Sequence, residues 1–325
     1  MIIDSNSRSV QLDPQNTQFY ENPYPYYHRI RAETPVFKWE QYGHWCFSRY
    51  DDVSTLLRDR RFGRQILHVA SREELGWPEP PEHIAAFTAH EKHSLLELEP
   101  PVHTRLRGLI NRAFLSRQVE RLRPIIVNLS NRLIDGFEAK GEVDLLAAYA
   151  TPIPVIVICE LLGAPVEMAD QFLAWSHDHV AMYMAKRDQA IEDKAVKAVV
   201  EFSAYIRGLI AEKRRNPKDD LLSELVKAET EGQKLSEDEL VTTAILILNA
   251  GHEATVHSIG NGVKAMLECH ISGPIAEGLI EEVLRFDAPL HMFTRYALED
   301  LEYAGVRLRK GETVGLMLGD RKSVV

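Results

Sequence analysis

The sequence predicts a mainly α-helical fold with small peripheral β-sheets. Three observations lead there. Apolar residues recur at helical spacing through most of the 325 residues. Alternating, strand-like runs are confined to the two ends, at 35–48 and within 292–318. One periodic run opens at Ser236 and continues to about Cys269. At 1.5 Å per residue it would extend roughly 50 Å, enough to cross a whole domain.

Taken in order, YPYYHRIRAE at 24–33 reads as a short helix and PVFKWEQYGHWCFS at 35–48 as strand. DDVSTLLR at 51–58 is helical again. A polar, proline-bearing stretch then runs from about 64 to 98, and loops of that length are usually functional or mobile. Helix resumes after Pro100 and Pro101, where a missing N–H does no harm, and continues to about 138. Further helices are expected at 150–162, 166–182, 187–214 and 219–229. The long run begins with a capping box, Ser236 followed three residues on by Glu239. A final helix at 275–286 precedes the strand-like pieces MFTRYAL, LEYAGVRL and TVGLML. No repeat or linker divides the chain, so one domain over 1–325 is expected.

Composition narrows the function. Hydrophobic residues make up 45% and charged residues 26%, the balance of a water-soluble globular chain. A formal charge of −10 argues against nucleic acid as main partner, because phosphate binding needs clustered excess base. The opening MIIDSNSRSVQLD carries no signal-like apolar run, and nowhere do 18 apolar residues follow one another, so no membrane anchor is expected. Cys46, Cys159 and Cys269 are few and unpaired in spacing, which suits a reducing cytoplasm.

Chemistry is suggested at three places. In ILILNAGHEATVHSIGNG, 245–262, a greasy helix turns weak and polar at Gly251, His252, Glu253 and Thr255. A His-Glu-x-x-His zinc helix does not fit. Its histidines sit four apart, about 40° round the helix, whereas His252 and His257 are five apart, about 140° round. Close packing at Gly251 with solvated polar neighbours is one reading. Yet residues 241–250 are apolar nearly all round, and a carboxylate on an interior helix is costly unless it serves a bound group. In ELEPPVHTRLRGLINRAF, 97–114, His103 and Arg107 share a helix face and suit a ligand bearing carboxylates; the bland alternative is surface charge, since Arg105, Arg112, Arg117, Arg121 and Arg123 crowd the region. In EEVLRFDAPLHMFTRYAL, 281–298, Glu282 and Arg285 form an i,i+3 pair, with Arg295 beyond a proline turn.

Together and in order, Glu-Pro-Pro-x-His-Thr-Arg-Leu-Arg, Ala-Gly-His-Glu-x-Thr and Glu-x-x-Arg with a later arginine resemble the soluble bacterial branch of the cytochrome P450 family. ENPYPYYHRIRAETPVF, SRYDDV and PVIVICELLGAP resemble it too, so the likeness covers about residues 15–319. It implies the cytochrome P450 fold, with a long central helix over the distal face of a haem b. The implied activity is insertion of one oxygen atom from O2 into a small apolar substrate, with electrons from a ferredoxin-type donor. By the same resemblance His103, Arg107 and Arg295 hold the haem propionates, and Ala250 lies against the haem. Gly251 opens an oxygen groove, and Glu253 is the acid of the proton-delivery pair. The family's threonine position is occupied by Ala254, and Thr255 matches a second threonine. Leu290, His291, Met292 and Phe293 line the substrate pocket opposite the loop at 77–98, while Glu282 and Arg285 form a structural pair. Arg112, Arg117 and Arg121 are expected on the face that docks the electron donor.

The sequence departs from the family at its end. The family continues past LMLG with a Phe-x-x-Gly-x-x-x-Cys-x-Gly loop whose thiolate ligates the iron. This chain reads LMLGDRKSVV, and none of its three cysteines stands in such a context. No metal ligand is therefore assigned, and the expected fold is a P450 domain lacking its C-terminal quarter. The chain as it stands is expected to be inactive, with a non-catalytic remnant or a small hydrophobic ligand-binding protein as the alternative.

Overall fold

The computed structural model describes residues 1–114, 116–184, 187–228 and 235–320. They form two compact units, Met1–Pro78 with Asn261–Val325, and Glu79–Gly260.

The first unit is built on short strands. They are β1 (Ile2–Asp4), β2 (Ser9–Gln11), β3 (Val36–Trp39), β4 (His44–Phe47), β5 (Phe62–Gly63), β6 (Met292–Ala297), β7 (Leu301–Tyr303), β8 (Val306–Leu308) and β9 (Thr313–Met317). Seven of them make one sheet in the order β1-β2-β3-β4-β9-β6-β5, and β7 pairs with β8 as a hairpin. The expected strand at 35–48 is thus two antiparallel strands in register Val36↔Phe47, reversed where Gly43 takes φ +72°. Successive side chains of a strand face opposite sides. Accordingly Val36, Phe47, Val314 and Leu316 enter one apolar cluster, while Phe37, Cys46 and Met317 enter another. Helices α1 (Thr17–Glu21) and α2 (Tyr24–Glu33) cover the second cluster with Phe19, Tyr27 and Ile30. Helix α3 (Tyr50–Leu56) supplies Val53 and Leu56 to the first.

The second unit is helical: α4 (Ala85–Glu91), α5 (Val102–Ala113), α6 (Ser116–Phe137), α7 (Pro152–Leu162), α8 (Ala169–Val180), α9 (Gln189–Arg215), α10 (Leu221–Ala228) and most of α11 (Glu237–Glu268). Inward residues of α5 and α7–α11 share one core, in which Leu106, Cys159, Phe172, Phe202, Leu222 and Ala244 are buried. The long helix begins at its predicted cap, with Ser236 N–H donating to Glu239 Oε2 at 2.8 Å and Glu239 N–H to Ser236 Oγ at 3.2 Å. The stretch from 64 to 98 is less irregular than the sequence suggests. Ile84 and Phe87 pack with Met182, Ala195 and Val199, which anchors α4 against α9.

The last helix, α12 (Glu277–Phe286), belongs to the first unit and buries no side chain. Ile280 and Leu284, four apart on one face, are 51% and 43% exposed, and Phe286 is 39% exposed.

Candidate functional site

Helix α11 carries the polar patch, and its surroundings change abruptly there. From Leu240 to Ile245 every side chain is buried, and Leu248 and Asn249 are buried too. Ala250, Ala254 and Thr255 are exposed, and Gly251 and Glu253 are half-buried. Ala250 and Ala254 are four apart and therefore share a face, which is left flat because both side chains stop at a methyl group.

Gly251 also meets a neighbouring helix. A β-carbon built on it would lie 2.5 Å from Ile158 Cδ1 of α7. The alanines give the face its flat outline. Thr255 donates its hydroxyl to Gly251 O at 2.9 Å, and Ser258 does the same to Ala254 O at 2.7 Å. The Thr255 proton is thus spent on its own helix.

His252 is 3% exposed and points between helices. Its Nδ1 lies 3.1 Å from Leu248 O, so Nδ1–H donates there and Nε2 keeps its lone pair. That Nε2 is buried and has no hydrogen-bond partner among the described residues, and the same holds for Ser176 Oγ. Both residues border a cavity of about 10 Å³, with Ile158 and Leu248 among its apolar walls. Burial depresses the His252 pKa, only partly offset by the Leu248 carbonyl and Glu253. The imidazole is therefore neutral at pH 7.

On α5, His103 is half-buried and Arg107 exposed, and neither makes a side-chain hydrogen bond or ion pair among the described residues. The other arginines nearby are occupied. Arg105 pairs with Glu239, and Arg117 and Arg121 both reach Asp219, each at 3.3 Å. The field expected from Arg117 and Arg121 is accordingly reduced by an acid of the same unit.

In the first unit, the residues of LHMF have different surroundings. Strand alternation separates Met292 from Phe293: Met292 packs toward the Cys46 cluster, while Phe293 lies under the guanidinium groups of Arg64 and Arg295, 5.3 and 4.5 Å from its ring centre. His291 accepts or donates at Nδ1 with Tyr27 Oη at 3.1 Å, and its ring packs beside Tyr24 and Tyr27. Leu290 alone of the four is largely open, at 50%. Arg285 pairs with Glu282 at 2.6 Å as the sequence predicts.

Two of the cysteines are poor thiolates. Cys46 and Cys159 are fully buried and burial raises both pKa values, that of Cys159 to about 12. Cys269 is exposed. Sequence reasoning missed His177, whose ring centre on α8 lies 5.7 Å from that of His252. No spacing along the chain could have signalled that meeting.

No protein-family model matches the chain. It is 34% identical over 324 residues to the polyketide biosynthesis cytochrome P450 PksS of Bacillus subtilis (strain 168), covering 95% of this chain and 78% of the relative. It is 38% identical over 320 residues to the vitamin D(3) 25-hydroxylase of Pseudonocardia autotrophica, covering 95% of this chain and 75% of the relative. Among solved structures it is similar to epothilone B-bound cytochrome P450epoK, with TM-score 0.82 and 30% identity across 96% of this chain and 79% of that one. It also matches P450BioI in complex with an acyl carrier protein ligated with hexadec-9Z-enoic acid, with TM-score 0.82 and 28% identity across 94% of this chain and 79% of that one.

Proposed function

The chain belongs to the cytochrome P450 family of haem b oxidoreductases, and on that premise we propose that the open face of α11 is the wall against which oxygen and substrate meet. The observation that carries this reading is the abrupt change along one helix. Fully buried from Leu240 to Ile245 and again at Leu248 and Asn249, it then exposes the methyl groups of Ala250 and Ala254, with Thr255, beside a half-buried carboxylate, Glu253. The reaction is insertion of one oxygen atom from O2 into a C–H bond of a small apolar molecule in the cytoplasm, with a ferredoxin-type donor supplying electrons. Relatives named for polyketide synthesis, vitamin D(3) and epothilone support a bulky apolar substrate.

The residues present fit part of a haem site. His103 and Arg107, unpaired and four apart on α5, suit the two carboxylates of a porphyrin, and Arg295 is proposed as a third cation. When bound, haem supplies the activation of dioxygen. Glu253 would hold and pass protons at its carboxylate. Ala254 offers no hydroxyl on the open face, and Thr255 has committed its own to Gly251 O. A hydroxyl from substrate or water must then complete the proton path.

Cys46 and Cys159 are buried thiols with raised pKa values, and Cys269 does not stand in the family's Phe-x-x-Gly-x-x-x-Cys-x-Gly context. We therefore expect the 325 residues alone to give no thiolate-ligated haem and no oxygenation, leaving hydrophobic ligand binding as the second reading. The check is the carbon monoxide difference spectrum of the reduced chain after reconstitution with haem. A strong thiolate-type Soret band would overturn this expectation. A chimera in which a relative's C-terminal segment follows Gly319 should gain that band and oxygenate an apolar substrate; a band without oxygenation would sink the proposed activity. In that chimera Ala254→Thr should lower hydrogen peroxide release several-fold for substrates lacking a hydroxyl. Equal peroxide release before and after the change would remove Ala254 from the proton path.

A further inference from the structure

We propose that His177, His252 and Glu253 form a binding site for one zinc ion between α8 and α11. One ligand atom from each residue lies within 4.8 Å of the other two. Zinc takes nitrogen and carboxylate oxygen at about 2.0–2.2 Å in a tetrahedron, which sets ligand atoms about 3.4 Å apart. The required closure is thus at most about 1.4 Å. Exposed His177 and half-buried Glu253 can supply it by side-chain rotation, while His252 stays fixed.

His252 is already arranged as a ligand. It gives Nδ1–H to Leu248 O and leaves Nε2 bare, the backbone-oriented tautomer typical of metal-bound histidine. Nε2 has no partner although the residue is 97% buried by the complement of its 3% exposure, and an unsatisfied buried acceptor is normally costly. Neither the His177 nor the Glu253 side chain makes a hydrogen bond or ion pair with another described residue. Three unengaged donors therefore converge, one buried and oriented, one open to solvent as the entry side, and one supplying negative charge. A water would fill the fourth position.

A second trio, His90, Glu91 and His179, is as close together but less available. Glu91 accepts the Tyr183 hydroxyl at 2.9 Å, and His179 Nε2 stands 3.5 Å from that hydroxyl and 3.7 Å from Glu91. Two of its members, Glu91 and His179, already meet the Tyr183 hydroxyl. His257, five residues from His252 on the same helix, is exposed and on another face, so the partner His252 lacked along the sequence comes from α8. The site does not depend on the proton-carrying role proposed for Glu253, though an occupied site would withhold that carboxylate.

The experiment is isothermal titration of the 325-residue chain with zinc chloride in a buffer that does not bind metal, with thermal unfolding as a second readout. Saturable one-to-one binding is expected, together with a rise in Tm that zinc produces and magnesium does not. His177→Ala lies at the surface, and Glu253→Gln keeps its shape, so both variants should fold. Each should weaken binding by more than about tenfold, since loss of even an outer-shell partner costs 10–100-fold. His257→Ala and Cys269→Ser should bind as the parent does. Absence of saturable binding would overturn the site, as would unchanged affinity in His177→Ala and Glu253→Gln, which would place zinc at the other trio or at Cys269. Neither outcome bears on the monooxygenase reading, which the carbon monoxide spectrum of the chimera tests separately.

Discussion

Lys213→Ala is expected to destabilise the protein by about 3–5 kcal/mol, the usual cost of removing one partner from a buried ion pair. Lys213 ends α9 with a side chain that is 0% exposed, and its Nζ donates to Asp220 Oδ2 at 2.6 Å and to Gly163 O at 2.8 Å. Asp220, with a side chain 4% exposed, also accepts Ser223 N–H at 2.8 Å and so caps α10. Gly163 completes the junction. It sits at φ +69°, and a β-carbon there would fall 2.1 Å from Asp220 Oδ2. Removing the ammonium leaves a buried carboxylate with only the Ser223 N–H and takes the Lys213 donor from Gly163 O. The measurement is the denaturant midpoint of Lys213→Ala against the parent. A loss below about 1 kcal/mol would mean that the pair behaves like an exposed one. Lys213→Met with Asp220→Leu should recover only part of the loss, because the leucine cannot cap Ser223 N–H.

Stability should also fall steeply as pH drops below 6.5, and His90 and His179 are the reason. Burial depresses His90 from the ordinary 6.5 to about 4, helped by His93 and Arg207 and opposed by Asp238. His179 falls to about 3 through burial and then His90, despite Glu91 Oε1 at 3.7 Å. Between 6.5 and those values the unfolded chain binds protons that the folded chain refuses. The sign is therefore that stability is fully present above pH 6.5 and is lost as pH falls toward 4 and then 3. The slope approaches about 1.4 kcal/mol per pH unit for each histidine within that window. Asp238, whose pKa is held below its ordinary 3.8 chiefly by the Arg207 hydrogen bond, adds to the loss only near the bottom of the window. Thermal unfolding at pH 7, 6 and 5 should show the decline, and His179→Gln should flatten it. An identical slope in the variant would assign the acid sensitivity elsewhere.

The elements with strong local signals were legible in the sequence. The cap at Ser236 and Glu239, the helix at Tyr24–Glu33 and the pieces at β6–β9 fall close to where periodicity and turn residues put them. The one long stretch that misled, 64–98, lacks periodicity except for Ile84 and Phe87, three apart, and those two are what seat α4. The split of 35–48 into two strands turns on a single glycine with positive φ.

Family membership was legible for the same reason, because its motifs are ordered residues along the chain. By itself the sequence determined the fold class and the haem-linked family. Tertiary structure alone decided which groups meet. Gly251 answers to Ile158 across a helix contact, Arg117 and Arg121 to Asp219, Met292 and Phe293 to opposite sides of a sheet, and His252 to His177 rather than His257. Spacing within one helix or strand fixes angles about that element's own axis. It carries no information on where a second element crosses, which depends on how all the apolar faces pack at once.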